Sequence, residues 1–168
     1  MLDRFGLYPE IIGGELVIRG SPSTRHQRAV TRLVVDLGVS TDAHGSAVLT
    51  GPFGVELDPD NSTRPDVAFV RADRVDLIAD DGLHVTADLL VEVTSPGSAS
   101  IDHTAKRDIY QRLGVVEYWV VDLEADRVLV HRLGEAGYGQ PSEHTRGDVL
   151  EPVTAPGLTV AVARLLDA

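Results

Sequence analysis

A single lysine, Lys106, stands against fourteen arginines in this chain of 168 residues. Wherever a generic positive charge suffices, the sequence uses arginine. A guanidinium is a delocalised fork that stays protonated, whereas an ammonium is compact, responds to its surroundings and can sit beside a reacting water or a phosphate. Two carboxylates upstream stand out by context. Asp66 lies in Arg64-Pro65-Asp66-Val67-Ala68-Phe69-Val70, and Glu92 in Leu89-Leu90-Val91-Glu92-Val93-Thr94-Ser95-Pro96. Each is a single acid in an apolar, β-branched run that predicts a buried strand. A buried carboxylate is costly unless it is paired, hydrogen-bonded or bound to a cation. Lys106, a metal ion, or both would neutralise these two.

The elements that must position these groups follow from periodicity and turn chemistry. Glu15-Leu16-Val17-Ile18-Arg19 reads as a short strand after the turn Gly13-Gly14, and Ser23 or Thr24 caps a first helix running to about Leu37. Its apolar face is Val30, Leu33, Val34 and Leu37, and one turn back that face carries His26, either a satisfied core histidine or a contact to the site. Arg25, Arg28 and Arg32 form a separate stripe. It could meet phosphates, or be a solvated face with Arg32 paired to Asp36. Residues 47–57 predict a strand broken by a Gly-Pro bend and resumed, with Asp58 to Ser62 as a turn before the Asp66 strand. Glu56 closes that strand, exposed, or near Asp66 if the turn makes a hairpin. Arg71 to Asp81 reads as a loop with a helical turn.

Ser95-Pro96-Gly97-Ser98 stops the Glu92 strand, and Ser100 or Asp102 caps a second helix that Gly114 ends after Leu113. Lys106 and Tyr110, four apart, share a face of this helix and point at the sheet. Val115 to Asp122 is the strongest strand in the chain and holds the sole tryptophan, Trp119. The unit from the Glu92 strand through the helix to the Trp119 strand has the length of a βαβ crossover, so these strands should be parallel. Another strand runs to Leu133, and a glycine-rich turn at Gly137 to Gln140 suggests a closing hairpin.

Composition bounds the rest. With 43% hydrophobic residues, the chain can bury one core, and residues 1–168 read as a single domain. The net charge of −11 argues against an extended basic surface that grips nucleic acid non-specifically. The absence of cysteine excludes disulfides, thiolate chemistry and zinc–sulfur sites. No apolar run approaches the roughly 20 residues of a membrane helix, and the beginning of the chain carries no leader pattern, so a cytoplasmic protein without membrane contact is expected.

The ordered set Gly14-Glu15-Leu16-Val17, His26, Arg64-Pro65-Asp66-Val67, Val91-Glu92-Val93-Thr94-Ser95-Pro96, Asp102-His103-Thr104-Ala105-Lys106 with Tyr110, and Glu117-Tyr118-Trp119 resembles the PD-(D/E)XK nuclease superfamily. Within it the chain looks most like the Uma2 family of endonucleases. The resemblance spans nearly the whole chain. It implies an α/β (α+β) fold, a restriction-endonuclease-like core with a central mixed β-sheet flanked by helices. It also implies hydrolysis of DNA phosphodiesters by a metal-activated water. The carry-over assigns Asp66 and Glu92, with the backbone carbonyl of Val93, to Mg²⁺ or Mn²⁺, oxygen ligands that suit a hard cation. Thr94 stands where the superfamily motif has its lysine, and Lys106 on the following helix takes that place. Lys106 would orient or help deprotonate the attacking water and offset charge on the phosphate. Glu15 is either an additional metal or water contact or an ordinary exposed glutamate, Thr94 is a further candidate through its hydroxyl, and Tyr110 is a packing neighbour of Lys106.

Two other classes compete. The strong negative charge would suit a nuclease-fold module of weak or lost activity that binds metal or a protein partner. A glycosidase-like use of paired carboxylates ranks last, because 5% aromatics supply no sugar platforms. A homodimer would let two sites face two strands and gather the arginine stripes into one basic groove.

Overall fold

The computed structural model describes residues 8–51, 53–80, 82–83, 85–94 and 99–168. Two short strands, β1 (Tyr8–Ile12) and β2 (Glu15–Arg19), form a hairpin that pairs Ile12 with Glu15. Its two-residue loop is Gly13-Gly14, both at positive φ (59° and 80°), the conformation in which the turn twist matches the strands. Helix α1 (Thr24–His44) begins behind Ser23, whose hydroxyl accepts the His26 N–H at 3.1 Å. The helix outruns the expected end at Leu37. A glycine at 38 costs a helix only about 1 kcal/mol, and the stop comes at Gly45, which takes the left-handed conformation (φ 72°).

Strand β3 (Ala47–Thr50) is followed by β4 (Val55–Asp58), β5 (Asn61–Thr63) and β6 (Val67–Val70). The broken strand expected over 47–57 is thus two strands in different sheets: β3 pairs β6, and β4 pairs β5 across the Asp58 turn. The Glu56 side chain lies outside what the structure describes. A 3₁₀ turn (Ala72–Leu77) leads into the small strands β7 (Ile78–Ala79) and β8 (Gly82–Leu83), and then β9 (Leu89–Val93) carries Glu92. The strand stop at Ser95 to Ser98 falls outside the described residues. Helix α2 (Ala99–Ile101) passes through a π turn (Asp102–Lys106) into α3 (Arg107–Arg112), which Gly114 terminates at φ 78°. Strand β10 (Glu117–Asp122) and β11 (Arg127–Gly134) follow, with β12 (Gly137–Tyr138) and β13 (Ser142–His144) both on β11. The small pair β14 (Val149–Leu150) and β15 (Val160–Ala161) precedes α4 (Val162–Leu166).

The central sheet is mixed, in the order β12-β11-β10-β9-β6-β3. Strands β9 and β10 are parallel, as the crossover length requires, and β6 runs antiparallel to β9 with Val67 opposite Val91. A second sheet has the order β2-β1-β5-β4-β8-β7. Alternation along the central strands divides the apolar residues between two layers. Val67, Phe69, Val91, Val93, Trp119 and Val121 pack with Leu33 and Leu37 of α1 and Leu165 of α4. Ala68, Val70, Leu90, Tyr118 and Val120 pack with Ile109 and Tyr110 of α3 and with Val55 and Leu83 of the second sheet. Glu92 shares the parity of Leu90, so it faces the layer that contains Lys106. Among the described residues no helix is long and apolar enough to cross a membrane.

Candidate active site

The start of β6 and the end of β9 lie side by side, and Asp66 sits at that junction. One of its oxygens accepts the Val93 N–H at 2.7 Å, and the other lies 3.0 Å from His26 Nε2. Helix α1 therefore aims His26 inward as its face predicts, and the imidazole fixes the rotamer of Asp66. The Asp66 side chain keeps 21% of its surface exposed and lines a cavity of about 130 Å³ together with Glu10, Arg19, Thr50 and Arg64.

Immediately inside this cavity is a buried charge cluster. The Lys106 ammonium is fully buried and lies 2.6 Å from Glu92 Oε1, 2.7 Å from Glu10 Oε1 and 3.9 Å from Asp102 Oδ1. Arg19 closes the cluster from the hairpin, with Nε 2.5 Å from Glu10 Oε2, Nη2 2.5 Å from Asp102 Oδ1 and Nη1 3.9 Å from Glu92 Oε2. The Tyr110 hydroxyl bridges Glu92 Oε1 (3.2 Å) and Thr63 Oγ1 (3.1 Å), and Tyr118 donates to the Asp102 carbonyl at 3.0 Å. The π turn places both Asp102 and Lys106 on the buried side, an irregularity of the kind that concentrates at functional sites.

Burial opposes the charge on Lys106, but the adjacent Glu92 and Glu10 outweigh it and hold the ammonium above its ordinary pKa. The ammonium form is therefore favoured in this arrangement. Burial likewise opposes, and Glu92, Asp102 and Glu10 outweigh it in favouring, the Arg19 cation. Burial pushes the Glu92 carboxyl up; Lys106 draws it back, and Asp102 and Asp66 leave it well above the usual carboxylate range. Four carboxyl groups (Glu10, Asp66, Glu92, Asp102) thus gather around one ammonium and one guanidinium.

The residues anticipated from sequence separate into those the fold brings together and those it does not. Asp66, Glu92, Lys106, His26 and Val93 converge. Glu15 is exposed at the turn end of β2. It points to the same side of the hairpin as Arg19 but sits four residues away, about 13 Å along the strand. Glu10, opposite Val17 in β1, occupies the place expected for it, and its Oε1 also accepts the Arg64 N–H at 2.6 Å. The Thr94 hydroxyl is buried and turned to the Val121 carbonyl at 3.4 Å, in the sheet and not in the cluster. Arg25 donates to the carbonyls of Leu123 (2.7 Å) and Leu166 (2.9 Å), and Arg32 to that of Arg164. Asp36 pairs with Arg164 at 2.9 Å instead of with Arg32. Arg28 is exposed. Glu10, Arg19 and Asp102 escaped notice although signals existed: Asp102 precedes Lys106 by four on the same helix, the spacing of an intrahelical ion pair. Glu10 stands in a short apolar run that ends in a Gly-Gly hairpin turn.

Among the described residues no three His, Asp or Glu side chains converge as a ready-made metal shell. The donor chemistry nevertheless suits a hard divalent cation. Asp66 and Glu92 offer oxygen ligands on neighbouring segments of the sheet, and such an ion uses few protein carboxylates and keeps several waters.

A mixed sheet flanked by helices, with a partly exposed acid at the start of one strand, a buried acid on its neighbour and a lysine delivered by the crossover helix, defines a protein of nuclease fold. The chain belongs to the Uma2 family, described as "Putative restriction endonuclease", whose model matches residues 6–163. A crystal structure from Anabaena variabilis ATCC 29413, described as "a putative nuclease belonging to DUF820", superposes with a TM-score of 0.80 over 95% of this chain and 89% of that one. At 17% identity the likeness is one of fold. No curated protein matches the chain.

Proposed function

We propose that this chain is a metal-dependent endonuclease that hydrolyses phosphodiester bonds of DNA. The observation that carries the reading is Asp66 on the wall of a cavity, with the buried Glu92 on the neighbouring strand and the Lys106 ammonium locked against Glu92. Asp66, Glu92 and the Val93 carbonyl would hold Mg²⁺ or Mn²⁺, which when bound supplies an activated water and Lewis-acid stabilisation of the phosphate. His26 and the Val93 N–H orient Asp66. Lys106 and Tyr110 hold Glu92 in place, and the lysine's positive charge favours the ionised carboxylate that a cation requires. Glu10 and Asp102 in turn fix Lys106 and Arg19, so that two positive charges stand close to where negative charge grows on a phosphate.

The test is cleavage of supercoiled plasmid and of labelled oligonucleotides with Mg²⁺, with Mn²⁺ and with a chelator, beside the Asp66→Asn variant. Asp66 is partly exposed, so this variant should fold. Metal-dependent cleavage lost in Asp66→Asn is the expected result; no cleavage by the unmodified chain under any of these conditions would refute it. The second reading, a nuclease-fold module of weak or lost activity that binds metal or a protein, draws on the complete burial of Lys106 and the net charge of −11. It predicts calorimetric metal binding without cleavage.

A further inference from the structure

Nearly every arginine in the described residues is committed to a carboxylate or a carbonyl. Among those residues two guanidinium groups, Arg28 and Arg64, have no hydrogen bond or ion pair to a described partner. Arg28 is exposed, as a solvated arginine should be. Arg64 is half-buried and lines the cavity that holds Asp66. A guanidinium in such a place presents a planar fork of donors with nothing among the described residues to receive it. Its backbone, by contrast, is held firmly. The Arg64 N–H is bonded to Glu10 Oε1, and Pro65 confines the residue before it to extended conformations. The side chain therefore rises from a fixed point on the rim, two residues from Asp66.

We infer that Arg64 is a phosphate clamp, receiving a non-bridging pair of oxygens from a phosphodiester backbone and so positioning the chain of phosphates over Asp66. The ligand class is a polyanionic nucleic-acid strand, and the inference rests on the nuclease reading. The fork matches phosphate in a bidentate fashion that a lysine cannot reproduce. The electrostatics require such a group. The cluster behind the cavity holds more carboxyl groups than cations and the whole chain carries a formal −11, so an approaching strand meets repulsion unless a local cation greets it.

The test measures binding apart from cleavage. A fluorescently labelled oligonucleotide is titrated against the full chain in chelator, by anisotropy, at several salt concentrations. Arg64→Ala should weaken binding at least about tenfold, the cost of losing a hydrogen-bonded charge contact, and lower the slope of log K against log salt by about one. Arg64→Lys should restore the salt slope but only part of the affinity. Arg127→Ala, which removes a half-buried arginine of β11 paired with Glu143 and outside the cavity lining, is the control and should change neither. Equal behaviour of Arg64→Ala and Arg127→Ala in a chain that still cleaves DNA would overturn the clamp and leave the nuclease reading standing. An unmodified chain that neither binds nor cleaves would overturn both.

Discussion

Replacing Lys106 by methionine keeps the volume of the side chain and deletes its charge. In the native chain the ammonium lies 2.6 Å from Glu92 and 2.7 Å from Glu10, with all three groups out of solvent. Removing one partner of such an arrangement leaves uncompensated buried charge, a cost of about 3–5 kcal/mol. Against the roughly 5–15 kcal/mol that holds a domain of this size together, the variant should still fold, but its Tm should drop by about 6–20 °C. The loss should depend on pH in a definite direction. Lys106 has a folded pKa above its unfolded one, so its contribution is complete at every pH below the ordinary lysine value, near 10.4. Without it Glu92 is raised further, and a carboxyl with a raised folded pKa destabilises the native state as pH climbs above the ordinary value of about 4.3. The gap between native and Lys106→Met stability should therefore widen from pH 4 to pH 8. The double change Lys106→Met with Glu92→Gln should recover much of it, because neither charge is then left alone. Urea denaturation of the three variants across that pH range is the assay. A cost under about 1 kcal/mol, or a gap that does not vary with pH, would show that the cluster is not the electrostatic unit its geometry indicates.

Other outcomes follow from the same geometry. Glu10→Gln should lower metal-dependent cleavage by about 10–100-fold, the usual effect of disturbing a group that orients the site, while Glu15→Gln leaves it unchanged; steady-state rates on one oligonucleotide compare the two. Binding of Mn²⁺ followed by calorimetry should strengthen with rising pH and release protons, because Glu92, held above the usual carboxylate range, must be ionised to accept the ion. Gly82→Ala should destabilise the second sheet by more than about 1 kcal/mol, since its φ of 151° disfavours a side chain and an added Cβ would meet the Gly54 carbonyl oxygen at 2.8 Å; thermal melts measure it.

Much of the fold was legible because its signals are local. The apolar runs around Asp66 and Glu92 are strands, the interval from Glu92 to Trp119 has crossover length, and Lys106 and Tyr110 share a helical face; each is set by side-chain periodicity and by glycine at a turn. Two partial failures have a common origin. Residues 47–57 read as one interrupted strand because sheet membership depends on distant partners, and α1 was ended early because tertiary packing overrides the weak penalty of one glycine.

For the site, residue types and spacing were enough to single out Asp66, Glu92 and Lys106 as groups that need one another, since a lone acid in an apolar strand and a lone lysine among arginines are costly or conspicuous before any fold is known. Tertiary structure decided which further charges join them. Glu10 and Glu15 lie on one side of the same hairpin, and only the packing of β1 and β2 on the central sheet selects the first. Asp102 could have capped a helix in water, and becomes a buried partner of Arg19 because the helix that carries it packs beneath the β1–β2 hairpin. Local sequence sets which groups are able to pair; burial, where an unpaired charge costs several kcal/mol, sets which of them must.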